Sequence, residues 1–327
     1  MTTAGATTVR TVLGDVDAAT LGRVDYHEHL FQVSPLLPGD DLDDEAASAA
    51  EAGLLVKSGF DAMVDATPIG LGRRPAALTR ISTAADLSVV ATTGLHRDAH
   101  YAPGHWSAAL SVDELAARFV RDIADGMPES DDPGPAVPAV GPAGAPVRAG
   151  LLKAGVDYWS ISRRGRVVLE AIGRAHALTG APVMIHLEHG SATFEVLELL
   201  GGLGVPADAV ALAHVDRNPD PGLHAELAAA GAYLGYDGVA RTKSWPDSVV
   251  LDCLLAAAAQ GAAARILLGG DVARRTRYVS YGGLPGLGYL GERFVPRLVR
   301  AGGSELADRV LMANPARWLT LRSPGAW

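Results

Sequence analysis

The sequence of 327 residues predicts a single-domain α/β protein with the (β/α)8 architecture of a TIM barrel. Short apolar runs recur eight times along the chain, and longer alanine-rich segments with helical spacing lie between them. The runs are continuous rather than alternating, which is typical of parallel strands buried on both faces. Eight such units over this length indicate a closed barrel. A doubly wound open sheet is the alternative that the strand count alone leaves open.

Each predicted strand ends in polar residues or glycine, which marks its carboxyl end. The predicted strands are the runs at 22–27, 62–66, 88–93, 149–153, 182–186, 209–214, 232–236 and 265–269. Amphipathic helices are expected between the strands and after the last one, and the clearest are at 44–58, 111–124, 163–179, 246–260 and 291–301.

The segment 127–147 interrupts this alternation of strands and helices. It is rich in Pro, Gly and Asp and has no apolar periodicity, so it predicts an irregular loop. It precedes the fourth strand and should therefore start at the end of the barrel opposite the catalytic mouth. We interpret it as an exposed, mobile excursion from a single domain spanning 1–327, and a linker between two domains is the alternative.

Composition and charge exclude several classes of protein. Hydrophobic residues make up 48% and charged residues 20%, which excludes intrinsic disorder, and a single cysteine excludes a disulfide framework. The formal net charge of -9 argues against nucleic acid as a partner. No apolar run reaches the roughly 18 residues of a membrane helix, and the N-terminus does not resemble a secretory signal. We therefore expect a cytoplasmic protein that acts on a small molecule.

Two histidines, His27 and His29, close the first predicted strand. Residues two apart on a strand lie on the same face, so both imidazoles can reach one metal ion. The chain has 10 histidines, and a pair with this spacing also arises by chance. The pair alone is therefore only weak evidence for a metal site.

Further candidate ligands follow other predicted strands. His186 and His214 close the fifth and sixth strands, and Asp271 follows the eighth. Because the carboxyl ends of barrel strands meet at one mouth, we expect all these side chains at one divalent-metal site. Lys153 closes the fourth strand, where an unpaired buried ammonium would be costly. A neutral amine there could instead take up CO2 and become a carbamate, an anionic oxygen donor that can join two cations.

Lysine is unusually rare in this chain. Of 28 Lys and Arg residues only three are lysines, which are Lys57, Lys153 and Lys243. A codon preference for arginine explains the general bias. A retained lysine nevertheless points to chemistry that arginine cannot perform, because a guanidinium does not lose its proton in proteins.

These residues give the chain a family resemblance. It resembles the phosphotriesterase family of the amidohydrolase superfamily nearly end to end, through the segments 27–30, 149–153, 183–186, 212–214, 268–271 and 314–318. All six ligand positions of that family's binuclear centre carry the expected residue types, and they are His27, His29, Lys153, His186, His214 and Asp271. The resemblance implies that the first two histidines and the aspartate hold the more buried cation. The other two histidines would hold the more exposed cation, with the carbamylated lysine between the two.

The implied centre predicts a hydrolase. Two cations about 3.5–4 Å apart can share a hydroxide that is nucleophilic at neutral pH, and Asp271 would accept its proton. Asp271 and Lys153 are therefore the predicted catalytic residues. Zn²⁺ is the expected metal, with Mn²⁺ and Co²⁺ as alternatives, because this ligand set accepts all three. The same chemistry serves a tetrahedral phosphorus or a lactone carbonyl, so the ligands leave the substrate open.

The loops after the seventh and eighth strands are expected to select the substrate. They bring five cations to one side of the mouth, which are Arg241, Lys243, Arg274, Arg275 and Arg277. Phosphate sites often form there in such barrels, and a solvated basic rim is the alternative. The loops are similar to the family branch that hydrolyses phosphorylated sugar lactones, in which a Lys, an Arg and a Tyr hold the phosphate. Lys243 and Arg274 match that pattern, whereas Arg277 stands where the Tyr is expected and Tyr278 follows it.

The sequence therefore predicts a binuclear metal-dependent hydrolase that opens an anionic or phosphorylated sugar lactone. The predicted substrate-binding residues are Arg241, Lys243, Arg274, Arg275 and Tyr278. The first alternative is a phosphotriesterase or carboxylesterase acting on triesters or acyl-homoserine lactones, although a pocket for neutral aromatic triesters should be apolar. The second is a non-catalytic, metal-bound ligand-binding protein. A homodimer is expected from the resemblance alone.

Overall fold

Eight parallel strands form the barrel, in the order in which they occur along the chain. The computed structural model describes residues 7–133, 137–241 and 244–324, and within these an antiparallel hairpin, β1 and β2, precedes the barrel. The strands are β1 Thr8–Thr11, β2 Gly14–Asp17, β3 Val24–Glu28, β4 Ala62–Asp65, β5 Ser88–Gly94, β6 Leu151–Val156, β7 Val183–Leu187, β8 Val210–Ala213, β9 Tyr233–Tyr236 and β10 Ile266–Leu268. Asp271 N donates to His27 O at 2.8 Å, which brings the chain after β10 back to β3. The predicted barrel is confirmed, and the open sheet is excluded.

Helices follow the barrel strands and cover the outside of the barrel. The helices are α1 Glu45–Lys57, α2 Pro75–Ala85, α3 Val112–Ala124, α4 Arg163–Thr179, α5 Thr193–Gly202, α6 Pro221–Ala229, α7 Asp247–Ala259, α8 Val295–Gly302, α9 Ser304–Asp308 and α10 Asn314–Leu319. The start of α3 shows why the predicted bounds agree closely, since Ser111 and Glu114 form a reciprocal capping box there. Among the described residues, no helix combines the length and the apolar character that crossing a bilayer requires.

The fourth barrel strand is longer than predicted. Lys153 was expected to end it, but β6 continues to Val156, and Lys153 lies within the strand, in register with Gly94 and Met184. The strand continues because Ala154 and Val156 are buried against the core and extend the same apolar run. Lys153 therefore lies deeper in the barrel than a residue at a strand end.

The irregular segment 127–147 is anchored to the barrel. It contains no regular helix or strand among its described residues, as predicted, but Met127 and Ala139 are fully buried. The carboxylate of Asp131 makes a bidentate ion pair with the buried Arg73, at 2.8 and 2.9 Å, and accepts a hydrogen bond from Gly70 N. The expectation of a freely exposed excursion is wrong at these positions, because the loop packs against the segment that follows β4.

We expect Asp131→Asn to lower the free energy of unfolding by about 3 kcal/mol, because it removes one partner of a buried ion pair. Burial raises the pKa of Asp131, but the Arg73 guanidinium outweighs this effect and holds the pKa below its usual value of 3.8. A depressed folded-state pKa stabilises the protein above about pH 4, and this contribution is lost as the pH falls through the folded-state pKa. Urea unfolding from pH 7 down to about pH 3 measures both effects. The exposed Asp132→Asn is the matched control, and equal unfolding midpoints for the two variants would contradict the prediction.

Candidate metal centre at the barrel mouth

All six residues predicted as metal ligands line one cavity of about 160 Å³ at the carboxyl ends of the barrel strands. Each is buried, with at most 7% of its surface exposed. The six are His27 in β3, Lys153 in β6, His186 in β7, and His29, His214 and Asp271 just beyond β3, β8 and β10. The barrel therefore brings together residues that lie far apart in the sequence.

The backbone is strained at two of these positions. His214 and Asp271 have φ values of 65° and 42°, a left-handed conformation that is unfavourable for residues with a Cβ. Such strain is often found at functional sites. Two glycines before Asp271 allow its close approach to β3, since a Cβ on Gly269 would lie 2.8 Å from Asp25 Oδ1 and one on Gly270 would collide with the Glu28 carboxylate.

His27, His29 and Asp271 form a first group of donors. Asp271 Oδ1 lies 3.8 Å from His27 Nε2 and 3.7 Å from His29 Nε2. Donor atoms bound to one ion at about 2.1 Å are separated by about 3.3–4 Å, so these spacings fit a shared divalent cation. His27 Nε2 is buried and has no hydrogen-bond partner among the described residues, which is a costly state unless a ligand fills it.

Asp237, which was not predicted from the sequence, orients two of the imidazoles. Its Oδ2 lies 3.0 Å from His27 Nδ1, and its Oδ1 lies 2.6 Å from His214 Nδ1. A carboxylate only accepts hydrogen bonds, so both rings carry their proton on Nδ1 and present Nε2 to the cavity. Its position directly after β9 was the available signal, because the carboxyl ends of all barrel strands meet at this mouth.

Thr67 orients His29 in the same way. Thr67 Oγ1 donates to Phe31 O at 2.6 Å, so it accepts a hydrogen bond from His29 Nδ1 at 2.7 Å. The ring of His29 therefore also presents its unprotonated Nε2 to the cavity.

His186 and His214 form a second group of donors. His214 Nε2 and His186 Nδ1 face each other at 2.8 Å, and His186 Nε2 has no hydrogen-bond partner among the described residues. Burial lowers the pKa of both imidazoles well below the usual value. Both rings are therefore neutral at neutral pH, which is the form that binds metals.

Lys153 provides a buried amine in the same cavity. Only 1% of the residue is exposed, and its Nζ donates to Ala66 O at 2.7 Å. Burial lowers the pKa of Lys153 to about 8, although Asp271 and Asp65 oppose that shift. About one amine in ten is then neutral at pH 7, and the neutral amine is the form that reacts with CO2.

The charge of Asp271 is balanced by two arginines. Burial raises the pKa of this carboxyl, but the Arg241 guanidinium in contact with it and the imidazoles of His27 and His214 together hold the pKa well below its usual value. Arg217 Nη2 lies 3.2 Å from Asp271 Oδ2. Asp271 is therefore ionised at neutral pH.

The residues predicted to bind substrate lie in different parts of the structure. Arg241 and Arg274 line the cavity, whereas Arg275 is half exposed and stacks on the ring of Tyr281 outside it. Tyr278 is fully buried, and its hydroxyl donates to His29 O at 2.5 Å, so its assignment to substrate binding is corrected to a supporting role for His29. Lys243 lies outside the described residues.

Three charged residues of the cavity were missed by sequence reasoning. Arg97 and Arg217 both lie near Glu188, with ion-pair distances of 2.6 and 3.8 Å, and all three line the cavity. Each follows a barrel strand, so their places after β5, β8 and β7 were the only signal in the sequence. The cavity thus contains two arginines, Arg97 and Arg217, in addition to those of the loops after β9 and β10.

A (β/α)8 barrel with buried imidazoles and carboxylates at its mouth defines a class of metal-dependent hydrolases. Comparison with known proteins agrees with this class. The model of the phosphotriesterase family matches residues 7–319. The chain therefore belongs to the phosphotriesterase family and is a metal-dependent hydrolase that acts on ester bonds.

Several relatives cover nearly the whole chain. A phospho-furanose lactonase of Mycoplasmopsis agalactiae is 31% identical over 97% of this chain and 92% of its own length. The crystal structure of a lactonase from Listeria monocytogenes superposes with a TM-score of 0.86 at 29% identity, over 97% of this chain and all of that one. An amidohydrolase from Mycoplasma synoviae superposes with a TM-score of 0.90 at 28% identity, over 98% of this chain and 93% of that one.

Proposed function

We propose that this protein is a binuclear metal-dependent lactonase whose substrate is an anionic, phosphorylated sugar lactone. One observation carries the proposal: guanidinium groups outnumber carboxylates in the cavity that holds the six candidate ligands. The carboxylates are those of Glu188 and Asp271, and the guanidinium groups are those of Arg97, Arg217, Arg241 and Arg274. Arginine pairs strongly with phosphate and carboxylate groups. The similarity to the phospho-furanose lactonase of Mycoplasmopsis agalactiae supports the same substrate class.

The residues at the mouth suit two divalent cations. His27, His29 and Asp271 would hold the more buried cation, His186 and His214 the more exposed one, and a carbamate on Lys153 would join them. When bound, the cations supply Lewis-acid chemistry, which polarises the carbonyl oxygen of the substrate and makes water acidic enough to attack at neutral pH. Zn²⁺ is the metal we propose, with Mn²⁺ and Co²⁺ as alternatives.

The protein's own groups supply the proton transfer and the binding of the substrate. Asp271 is ionised at neutral pH, which leaves its carboxylate available as the proton acceptor. In the proposed reaction it takes the proton of the attacking water and returns it to the ring oxygen that leaves as an alcohol. Arg241 and Arg217 keep the carboxylate in place through their contacts with it. Arg274 lines the cavity and would contact the phosphate, and Lys243 is the second phosphate-binding residue predicted from the sequence.

The proposal predicts that Arg274→Ala discriminates between two substrates. The variant should raise KM for a sugar lactone phosphate by about 10- to 100-fold, because a charge-assisted hydrogen bond contributes about 1.5–3 kcal/mol. KM for the unphosphorylated lactone should change by less than about twofold. A pH-indicator assay on zinc-loaded protein measures both substrates and an aryl phosphotriester.

Arg275→Ala is the matched control, since this neighbouring arginine lies outside the cavity. Lys243→Ala should behave like Arg274→Ala if it contacts the phosphate. Equal effects of Arg274→Ala on both lactones would remove the phosphate assignment. Turnover of the triester alone would overturn the lactonase proposal.

The homodimer and the cytoplasmic location stay predictions from the sequence.

A further inference from the structure

A second and larger cavity opens beside the candidate metal centre. Its volume is about 820 Å³, compared with about 160 Å³ for the cavity that holds the ligands. Pockets for small molecules usually measure roughly 300–1,000 Å³, so the larger of these two cavities is in that range. Glu188 and Arg217 line both cavities, so the two spaces share one wall. We call the larger space the aromatic cleft.

Aromatic side chains are concentrated in the aromatic cleft. Among the described residues, four Phe, Trp and Tyr side chains are exposed, and three of them, Tyr158, Trp159 and Phe194, line the cleft. Trp159 is 63% exposed and Tyr158 is 60% exposed. Exposed aromatic groups gathered in one concave surface are typical of a ligand site, whereas single exposed apolar residues are common everywhere.

Hydrogen bonds between two loops hold the backbone that carries Trp159. Trp159 follows β6 and has a left-handed φ of 51°, and its N–H donates to Ser191 Oγ at 3.0 Å. Ser191 Oγ in turn donates to Glu188 O at 2.7 Å, which links the loops after β6 and β7. His189 and Ala192 in the second loop are also left-handed, with φ values of 53° and 57°. The backbone at Trp159 is thus preorganised, which lowers the entropic cost of ordering this loop around a ligand.

The shared wall connects the aromatic cleft to the reacting groups. Arg217 lies within 3.2 Å of Asp271 Oδ2 on one side and 3.8 Å of Glu188 Oε1 on the other. Arg97 holds the other oxygen of Glu188 at 2.6 Å. The cleft and the candidate metal centre are therefore neighbours on the two sides of the Arg217–Glu188 ion pair.

We propose that the aromatic cleft is a second substrate subsite, which binds a flat apolar ring carried by the substrate beyond its scissile ester. Trp159, Tyr158 and Phe194 are its specificity-determining residues. The proposal rests on the proposed function for the position of the ester, but the cleft and its occupant are additional to it. Stacking on an aromatic face is favourable for any flat ring.

Paired substrates test the subsite. A lactone with an aryl substituent is compared with the same lactone without it, in the wild type and in Trp159→Ala, Trp159→Phe and Phe194→Ala. We expect Trp159→Ala to lower kcat/KM about tenfold for the aryl lactone and to leave the plain lactone within about twofold. Trp159→Phe should restore most of the loss because it keeps a ring. Leu178→Ala is the control, since Leu178 is exposed on α4 outside the cleft.

A binding measurement separates this proposal from the proposed function. Calorimetry compares the ring-opened hydroxy acids with and without the aryl group, so it needs no turnover. About tenfold tighter binding of the aryl acid that is lost in Trp159→Ala would support the subsite. Absence of hydrolysis of both lactones would overturn the proposed lactonase function but not the subsite. Equal Kd values for the two acids would overturn the subsite. Dissociation of a dimer in Trp159→Ala with unchanged substrate preference would also overturn it, because the cleft would then face a second copy of the chain.

Discussion

Replacing Lys153 by alanine is expected to abolish metal loading and to lower the hydrolytic rate by about 10³-fold or more. The reason is that the proposed carbamate would be the one protein ligand shared by the two cations. Metal ions contribute several kcal/mol of transition-state stabilisation, and that energy corresponds to a loss of this size. Metal analysis after dialysis and initial rates on the preferred lactone measure the two effects.

The chemistry of the carbamate provides a specific rescue. Short carboxylic acids such as acetate or propionate should restore part of the metal content and of the activity in Lys153→Ala, because a carboxylate can take the place of the carbamate. Lys57→Ala is the control, since this lysine is exposed at the end of α1. Its metal content and hydrolytic rate should equal those of the wild type, with or without added acid. Full activity of Lys153→Ala without added acid would contradict the assignment of Lys153 as a metal bridge.

Asp237→Asn is expected to weaken both metal sites together, by about 10- to 100-fold at each. A single carboxylate accepts hydrogen bonds from His27 Nδ1 and His214 Nδ1, whose rings belong to different sites in the proposed centre. The asparagine amide has one acceptor oxygen, so its NH2 group would face the Nδ1–H of the other ring. Competition with a chelator of known affinity measures the two metal affinities.

The control for this variant is Asp252→Asn, which changes an exposed carboxylate on α7. Thermal unfolding of the metal-free proteins checks that Asp237→Asn still folds, since this residue is fully buried. Unchanged affinity at both sites would show that Asp237 does not orient the imidazoles. A loss at one site alone would assign Asp237 to a single ring.

The barrel and most of its candidate site could be predicted from the sequence because both depend on local patterns. Continuous apolar runs identify strands buried on both faces, and the predicted helix at 163–179 has the same bounds as α4. The rule that carboxyl ends of barrel strands share one mouth then placed His27 and Asp271 together. The predicted strand ended at Lys153, whereas the strand in the structure continues to Val156.

The sequence by itself thus determined the architecture, the end of the barrel that holds the site, and the residue types gathered there. Tertiary structure alone decided which neighbours those residues have. Asp237 reaches His27 across 210 positions in the chain, Tyr278 turns inward to His29, and Trp159 and Phe194 meet in one cleft. The physical reason is that periodicity records only which face of an element is buried, whereas side-chain contacts between distant loops form only when the barrel closes.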